Sequence, residues 1–186
     1  MAYVDDLARA FESFVALPWP PGLSGAERVW FAVYPPRDER RLRARLRAFE
    51  AASVGSGHPF CAADLTPLFA RWLAGQKYRD RFFQNPALMD MPLNSLFPKF
   101  VVDELAPALD ACLPDGVLAL TGAASLFGLM RVSALVEQLA PRVRGRLLVF
   151  FPGTVEGHAN PNLATRNYRL LDARDGWNYL AVPIQP

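Results

Sequence analysis

The sequence predicts an α/β fold: one three-layer domain in which helices flank a mostly parallel sheet. Three observations carry this. Gly116-Val-Leu-Ala-Leu-Thr121 and Arg146-Leu-Leu-Val-Phe-Phe151 are apolar runs of strand length, and Leu126 to Leu139 between them has helical patterning. Strand, helix, strand within about 35 residues is a βαβ unit, which pairs its strands in parallel through a right-handed crossover. The run Arg28 to Tyr34, followed by a helical pattern at 38–52, has the same character. Finally, 186 residues with 52% hydrophobic and 20% charged side chains fit one globular domain, and no repeat or linker divides the chain.

The remaining elements follow in order. Asp5 and Asp6 open a helix with Leu7, Ala10, Phe11 and Phe14 at helical spacing, and carboxylates in a first turn suit the helix dipole. Pro18-Trp-Pro-Pro-Gly22 stops it. The strand Arg28–Tyr34 ends at Pro35-Pro36, which cannot continue a ladder. The helix at 38–52 buries Leu42, Leu46 and Phe49. His58 to Ala62 is a weaker strand, and residues 65–75 form a helix on Leu65, Leu68, Phe69 and Trp72. A short helix near 77–84 and a loop from Asn85 to Asn94 precede a helix from Leu96 to Leu113, with Pro98 and Pro107 at its start or at a kink. Pro141 to Gly145 end the helix of the βαβ unit, and Pro152-Gly153 break its second strand. Two extended pieces, 167–172 and 178–184, are joined by Arg174-Asp-Gly176, a hairpin signal and the candidate C-terminal hairpin.

Composition narrows the function classes. The net charge of +2 is too small to argue for nucleic acid by itself, and the eighteen arginines against two lysines read as base composition of the genome. Cys61 and Cys112 lie far apart and form no CxxC, which excludes a disulfide scaffold and a cysteine-rich zinc site and suits a reducing compartment. His58 and His158 are the only histidines, so no metal and no cofactor is expected. The acidic start is unlike a signal peptide, and the longest uncharged run, 116–130, is shorter than a membrane span. A cytoplasmic protein without membrane contact is expected.

Doubly wound folds bind ligands at strand ends. Thr121-Gly-Ala-Ala-Ser125-Leu-Phe-Gly128 sits at such an end. It lacks the lysine of a Walker A loop and matches neither GxGxxG nor GxSxG, so the domain reads as Rossmann-like or AAA-like without a P-loop. A tight turn capped by Ser125 explains Gly122 and Ser125, with ligand contact by Thr121, Gly122, Ser125 and Arg131 as the alternative. Arg131, on the first turns of the following helix, must reach solvent, a carboxylate or a ligand. Pro152, Gly153, Glu156 and His158 form a strand-end loop suited to a partner or ligand, and Glu156 with His158 would make an acid–base pair. His58 and Cys61 are too weakly supported for a nucleophile pair. Arg37, Arg40, Arg41, Arg43, Arg45 and Arg47 crowd one helix; Arg40, Arg41, Arg43 and Arg47 are its nucleic-acid candidates, against a solvated face as the simpler reading. Smaller basic clusters are Arg79 with Arg81, and Arg142, Arg144 and Arg146.

The assembled pattern resembles the BrxB family of BREX phage-defence systems. The residues that carry the resemblance are Leu120-Thr-Gly-Ala-Ala-Ser-Leu-Phe127 with Arg131, Leu148-Val-Phe-Phe-Pro-Gly153 with Gly157, and Asn167-Tyr168-Arg169. Asn167 departs from the tyrosine that usually precedes Tyr168 in that family. The resemblance implies a small subunit without established catalytic residues, working beside a PglZ-like protein of the alkaline-phosphatase superfamily, an ATPase and a DNA methyltransferase. It adds Tyr168 and Arg169 to the partner or ligand candidates. The expected function is therefore a non-catalytic interaction subunit. The alternatives are a degenerate nucleotide-binding or hydrolase-like domain, and a DNA-contacting accessory protein.

Overall fold

The computed structural model describes residues 3–156, 166–171, 173–179 and 181–186. In chain order the elements are α1 (Tyr3–Val15), β1 (Val29–Tyr34), α2 (Glu39–Gly55), β2 (Phe60–Asp64), α3 (Leu68–Ala74), α4 (Arg79–Gln84), α5 (Asp90–Ser95), α6 (Phe97–Ala111), β3 (Val117–Thr121), α7 (Val132–Leu139), β4 (Arg146–Glu156), β5 (Arg166–Leu170), β6 (Ala173–Tyr179) and β7 (Val182–Ile184). The sheet runs β2-β3-β4-β1-β7, and every pair in that row is parallel. Numbered among themselves in chain order, these five strands read 2-3-4-1-5. That is the AAA-like order and not the 3-2-1-4-5-6 of a Rossmann sheet. β5 pairs antiparallel with the far end of β4, and β6 with β5.

Alternation along each strand divides the core between two faces. Trp30, Ala32 and Tyr34 of β1 and Leu148 and Phe150 of β4 meet Leu7 and Phe11 of α1 and Leu42 and Phe49 of α2. Phe31 and Val33 of β1 and Leu147, Val149 and Phe151 of β4 meet α3, α6 and α7 through Trp72, Phe97, Leu105, Leu135 and Leu139. β1 is buried at all six positions because helices cover both faces, which is why its sequence is a continuous apolar run rather than an alternating one. Among the described residues no helix is long and apolar enough to cross a membrane.

Four local expectations are corrected. Residues 85–94 are not a loop: Pro86–Met89 form a 3-10 turn and Asp90–Ser95 a helix. Pro86 and Pro92 fit because the first N–H groups of a helical segment have no partner inside it. Pro152-Gly153 do not break β4, which runs eleven residues through them. Pro152 stands where the strand changes partners, after Val149 faces β3 and before Gly153 faces β5, and its carbonyl accepts the Leu171 N–H at 2.9 Å. The hairpin turns at Leu171, which has φ 54°, between the paired Leu170 and Ala173, so Asp175-Gly176 lie inside β6. Gly176 stands opposite Tyr168, where the register shifts; the glycine marks a bulge and not the turn. The extended piece 178–184 is accordingly split between β6 and β7. Finally, the segment after Thr121 is a 3-10 turn, Ala123–Leu126, and the helix starts only at Val132.

Candidate functional site

Polar side chains converge where β1, β2 and β3 end. Tyr34, the last residue of β1, is buried and donates its hydroxyl to Glu39 in the first turn of α2. Burial and the Glu39 carboxylate both push the Tyr34 proton affinity up, so the phenol stays neutral. Arg43, one helical turn beyond Glu39, donates Nε to the other Glu39 oxygen at 2.7 Å. Its fork then reaches the end of β2, with Nη1 3.2 Å from Asp64 Oδ2 and Nη2 2.7 Å from Thr66 Oγ1. Thr66 in turn donates its backbone N–H and its hydroxyl to Asp64 Oδ1, at 3.0 and 2.7 Å.

The electrostatics follow from these contacts. Partial burial would raise the Asp64 pKa, but the hydrogen bonds from Thr66 and the Arg43 charge outweigh it and hold the carboxyl below its ordinary 3.8. The hydrogen bond to Asp64 is the chief reason that the Arg43 guanidinium holds its proton more tightly than usual. Gly122, at the end of β3, closes the arrangement from below with φ 75°. A Cβ there would lie 2.3 Å from Thr66 Oγ1, 2.7 Å from Asp64 Oδ1 and 3.0 Å from Arg43 Nη2. The glycine is needed both for its left-handed backbone and for this close approach. The result is a clasp across three strand ends, in which each polar group is held by another.

The other candidates fall into place around it. Thr121 is buried, and its carbonyl accepts the Leu65 N–H at 2.9 Å. Ser125 donates both its hydroxyl and its N–H to the Gly122 carbonyl, at 2.7 and 2.9 Å, which is the turn-closing role. Arg131 is not on the helix but at its N-cap position, exposed and with extended backbone. It lines a groove of about 660 Å³ with Asn94, Phe127, Glu137, Leu170 and Ala173. Pro152 and Gly153 are buried in β4, and a Cβ on Gly153 would meet the Arg169 carbonyl oxygen of β5 at 1.9 Å. Glu156 pairs with Arg169 at 2.8 Å, a bond across the β4–β5 ladder. His158 lies outside the described residues.

Tyr168 is fully buried, packed edge-on against Phe31 and Phe151, with its hydroxyl donating to the Ala181 carbonyl at 2.8 Å. It belongs to the core rather than to a ligand-facing surface.

The arginine helix divides similarly. Arg43 turns into the clasp, Arg41 pairs with the buried Asp38 at 3.3 Å, and Arg45 pairs with Asp5 of α1 at 2.8 Å. Arg40 and Arg47 are exposed and have no ion pair among the described residues. His58 stacks on Trp19, while the Cys61 and Cys112 thiols donate to the Val117 and Leu113 carbonyls, each at 3.7 Å, and the neighbouring Cys112 thiol draws the Cys61 pKa below its ordinary value.

Sequence reasoning missed the clasp. Its members come from positions 34, 39, 43, 64 and 66, and only the parallel register of β2 with β3 and the crossover of α2 bring them together. The Asp-Leu-Thr run that ends β2, in which Asp64 caps Thr66, is the one local signal for it. Comparison of the chain with protein-family models, with curated proteins and with solved structures returned no match.

Proposed function

We propose that this chain is a small non-catalytic subunit of a BREX-type antiviral system, acting in the cytoplasm by docking a larger component. By the resemblance of its second half to BrxB proteins, that component is the PglZ-like subunit of the alkaline-phosphatase superfamily. The observation that carries the reading is a concentration of bare apolar side chains on the helices between β2 and β3. Tyr78, Phe83, Leu88, Met91 and Leu96 are all more than half exposed, Phe83 at 69% and Met91 at 78%. Phe127 adds to them at the rim of the groove that Arg131 lines. Single exposed apolar side chains are ordinary, but five large ones within nineteen residues support a protein-docking surface. The polar groups at the strand ends support the same reading, because they hydrogen-bond one another. Co-expression with the neighbouring genes tests it: the chain is expected to co-purify with the phosphatase-like subunit. Recovery of the chain as a lone monomer beside all of them rejects the reading.

A second reading, nucleotide binding, rests on the groove beside Arg131. A nucleotide at one hundred times its dissociation constant would add about 2.7 kcal/mol of stability. Thermal unfolding with a nucleotide panel reads that directly, and an unchanged midpoint with every nucleotide removes this reading.

A further inference from the structure

The opposite edge of the sheet, where the parallel strands begin, holds a different chemistry. Arg28 precedes β1, His58 precedes β2, Asp115 precedes β3, and Arg144 and Arg146 lead into β4. With Trp19 and Pro20 they line a cavity of about 490 Å³. We propose that this cavity is a binding site for a doubly charged phosphoryl group.

The argument starts from Arg146. Its side chain is only 5% exposed, yet it makes no ion pair among the described residues. Its guanidinium carbon lies 4.5 Å from the Trp19 ring centre and 5.7 Å from that of Trp30, and one N–H donates to the Gly145 carbonyl at 3.2 Å. Cation–π contacts occupy the faces of a guanidinium and leave its in-plane N–H fork for an oxyanion. A buried cation without a counter-charge is costly. Burial, and then the like charge of Arg28, lower the proton affinity of Arg146.

The neighbours do not supply the missing charge. Arg28 donates to the Val143 and Arg144 carbonyls at 2.9 and 3.2 Å. Arg144 donates to the Asp110 and Cys112 carbonyls at 2.6 and 2.9 Å. Both guanidiniums are thus held beside the cavity by neutral carbonyl acceptors. Among the described residues of the lining, Asp115 is the one carboxylate, set against three arginines, so these four side chains carry a formal charge of +2. His58 hydrogen-bonds through Nδ1 to the Asp115 carbonyl at 2.8 Å and stacks on Trp19 at 3.6 Å with 5° between the planes. Because His58 and Arg146 already cover the Trp19 ring, a ligand is recognised by its anion and not by stacking of a base. A phosphate dianion balances the charge, and arginine forks match its oxygens.

Calorimetric titration of the full chain at pH 8, where phosphate is a dianion, tests this with inorganic phosphate and with phosphoserine, using acetate as the monoanion control. Saturable binding of phosphate is expected, with no competition from acetate. Phosphoserine binding more tightly than phosphate identifies a phosphorylated protein as the source; equal affinity identifies the free ion. Arg144→Gln and Asp115→Asn alter exposed side chains and leave the buried Arg146 in place. The first is expected to weaken binding about tenfold and the second to tighten it several-fold, in opposite directions because one removes a positive charge and the other a negative one. No heat from either phosphoryl probe at 10 mM overturns the proposal, and so do unchanged affinities in both variants.

Discussion

Asp64 shows how a single carboxylate carries a pH dependence. Its folded-state pKa is depressed below the ordinary 3.8 by Thr66 and Arg43, so its contribution to stability is fully present well above that value. The contribution is lost as pH falls from near 4 through the folded-state pKa. The denaturation midpoint of the native chain is therefore expected to fall more steeply on acidification through that window than the midpoint of Asp64→Asn, which has no such proton to take up. Parallel curves for the two proteins would refute the assignment. Gly122 is the second residue of consequence. Gly122→Ala combines a left-handed backbone, which costs an L side chain about 1–2 kcal/mol, with a Cβ 2.3 Å from Thr66 Oγ1. A loss of about 2 kcal/mol or more in urea unfolding is expected, against the slight gain that Gly→Ala gives where the backbone is compatible. Both residues were visible in the sequence only as types. Gly122 stood out as a turn glycine after a strand, while Asp64 had no local feature to connect it with an arginine twenty-one positions earlier.

At the scale of elements, α2 is the informative one. Its five arginines read in sequence as a uniform basic face, but packing assigns them separate tasks. Arg43 crosses to β2, Arg45 ties the helix to α1, and Arg41 neutralises Asp38. Arg40 and Arg47, seven positions apart and hence on nearly one side of the helix, remain exposed. Arg40→Gln with Arg47→Gln is expected to leave stability within about 0.5 kcal/mol, as for other exposed positions. If this face meets nucleic acid, the same variant lowers the slope of log affinity against log salt by about two phosphate contacts. An unchanged slope assigns the face to solvent. β4 makes the complementary point. Proline and glycine normally end a strand, yet β4 continues through Pro152 and Gly153 because its partner changes there and β5 approaches too closely for a side chain. Local propensity pointed to a break; the tertiary requirement for backbone approach prevailed.

For the whole molecule, surface and core answer to different demands. Phe83→Glu with Met91→Glu replaces side chains that are 69% and 78% exposed, so folding stability is expected to change little. If the proposed docking of a phosphatase-like subunit on this face holds, its capture is expected to fall at least tenfold, read by co-purification, because an apolar docking face does not accept carboxylates. Retained capture would place the partner elsewhere on the chain. The sequence by itself determined the class of fold: β1, β3 and β4 are buried on both faces, so their apolar runs name themselves, and a helix between two such strands enforces parallel pairing. Only the tertiary structure decided the strand order, the placing of Tyr168 in the core, the clasp at the strand ends and the cluster of Arg28, Arg144 and Arg146 at their beginnings. The physical reason is range. Hydrophobic periodicity acts between near neighbours along the chain, whereas charge pairing and close backbone approach act between residues that meet only after the sheet has formed.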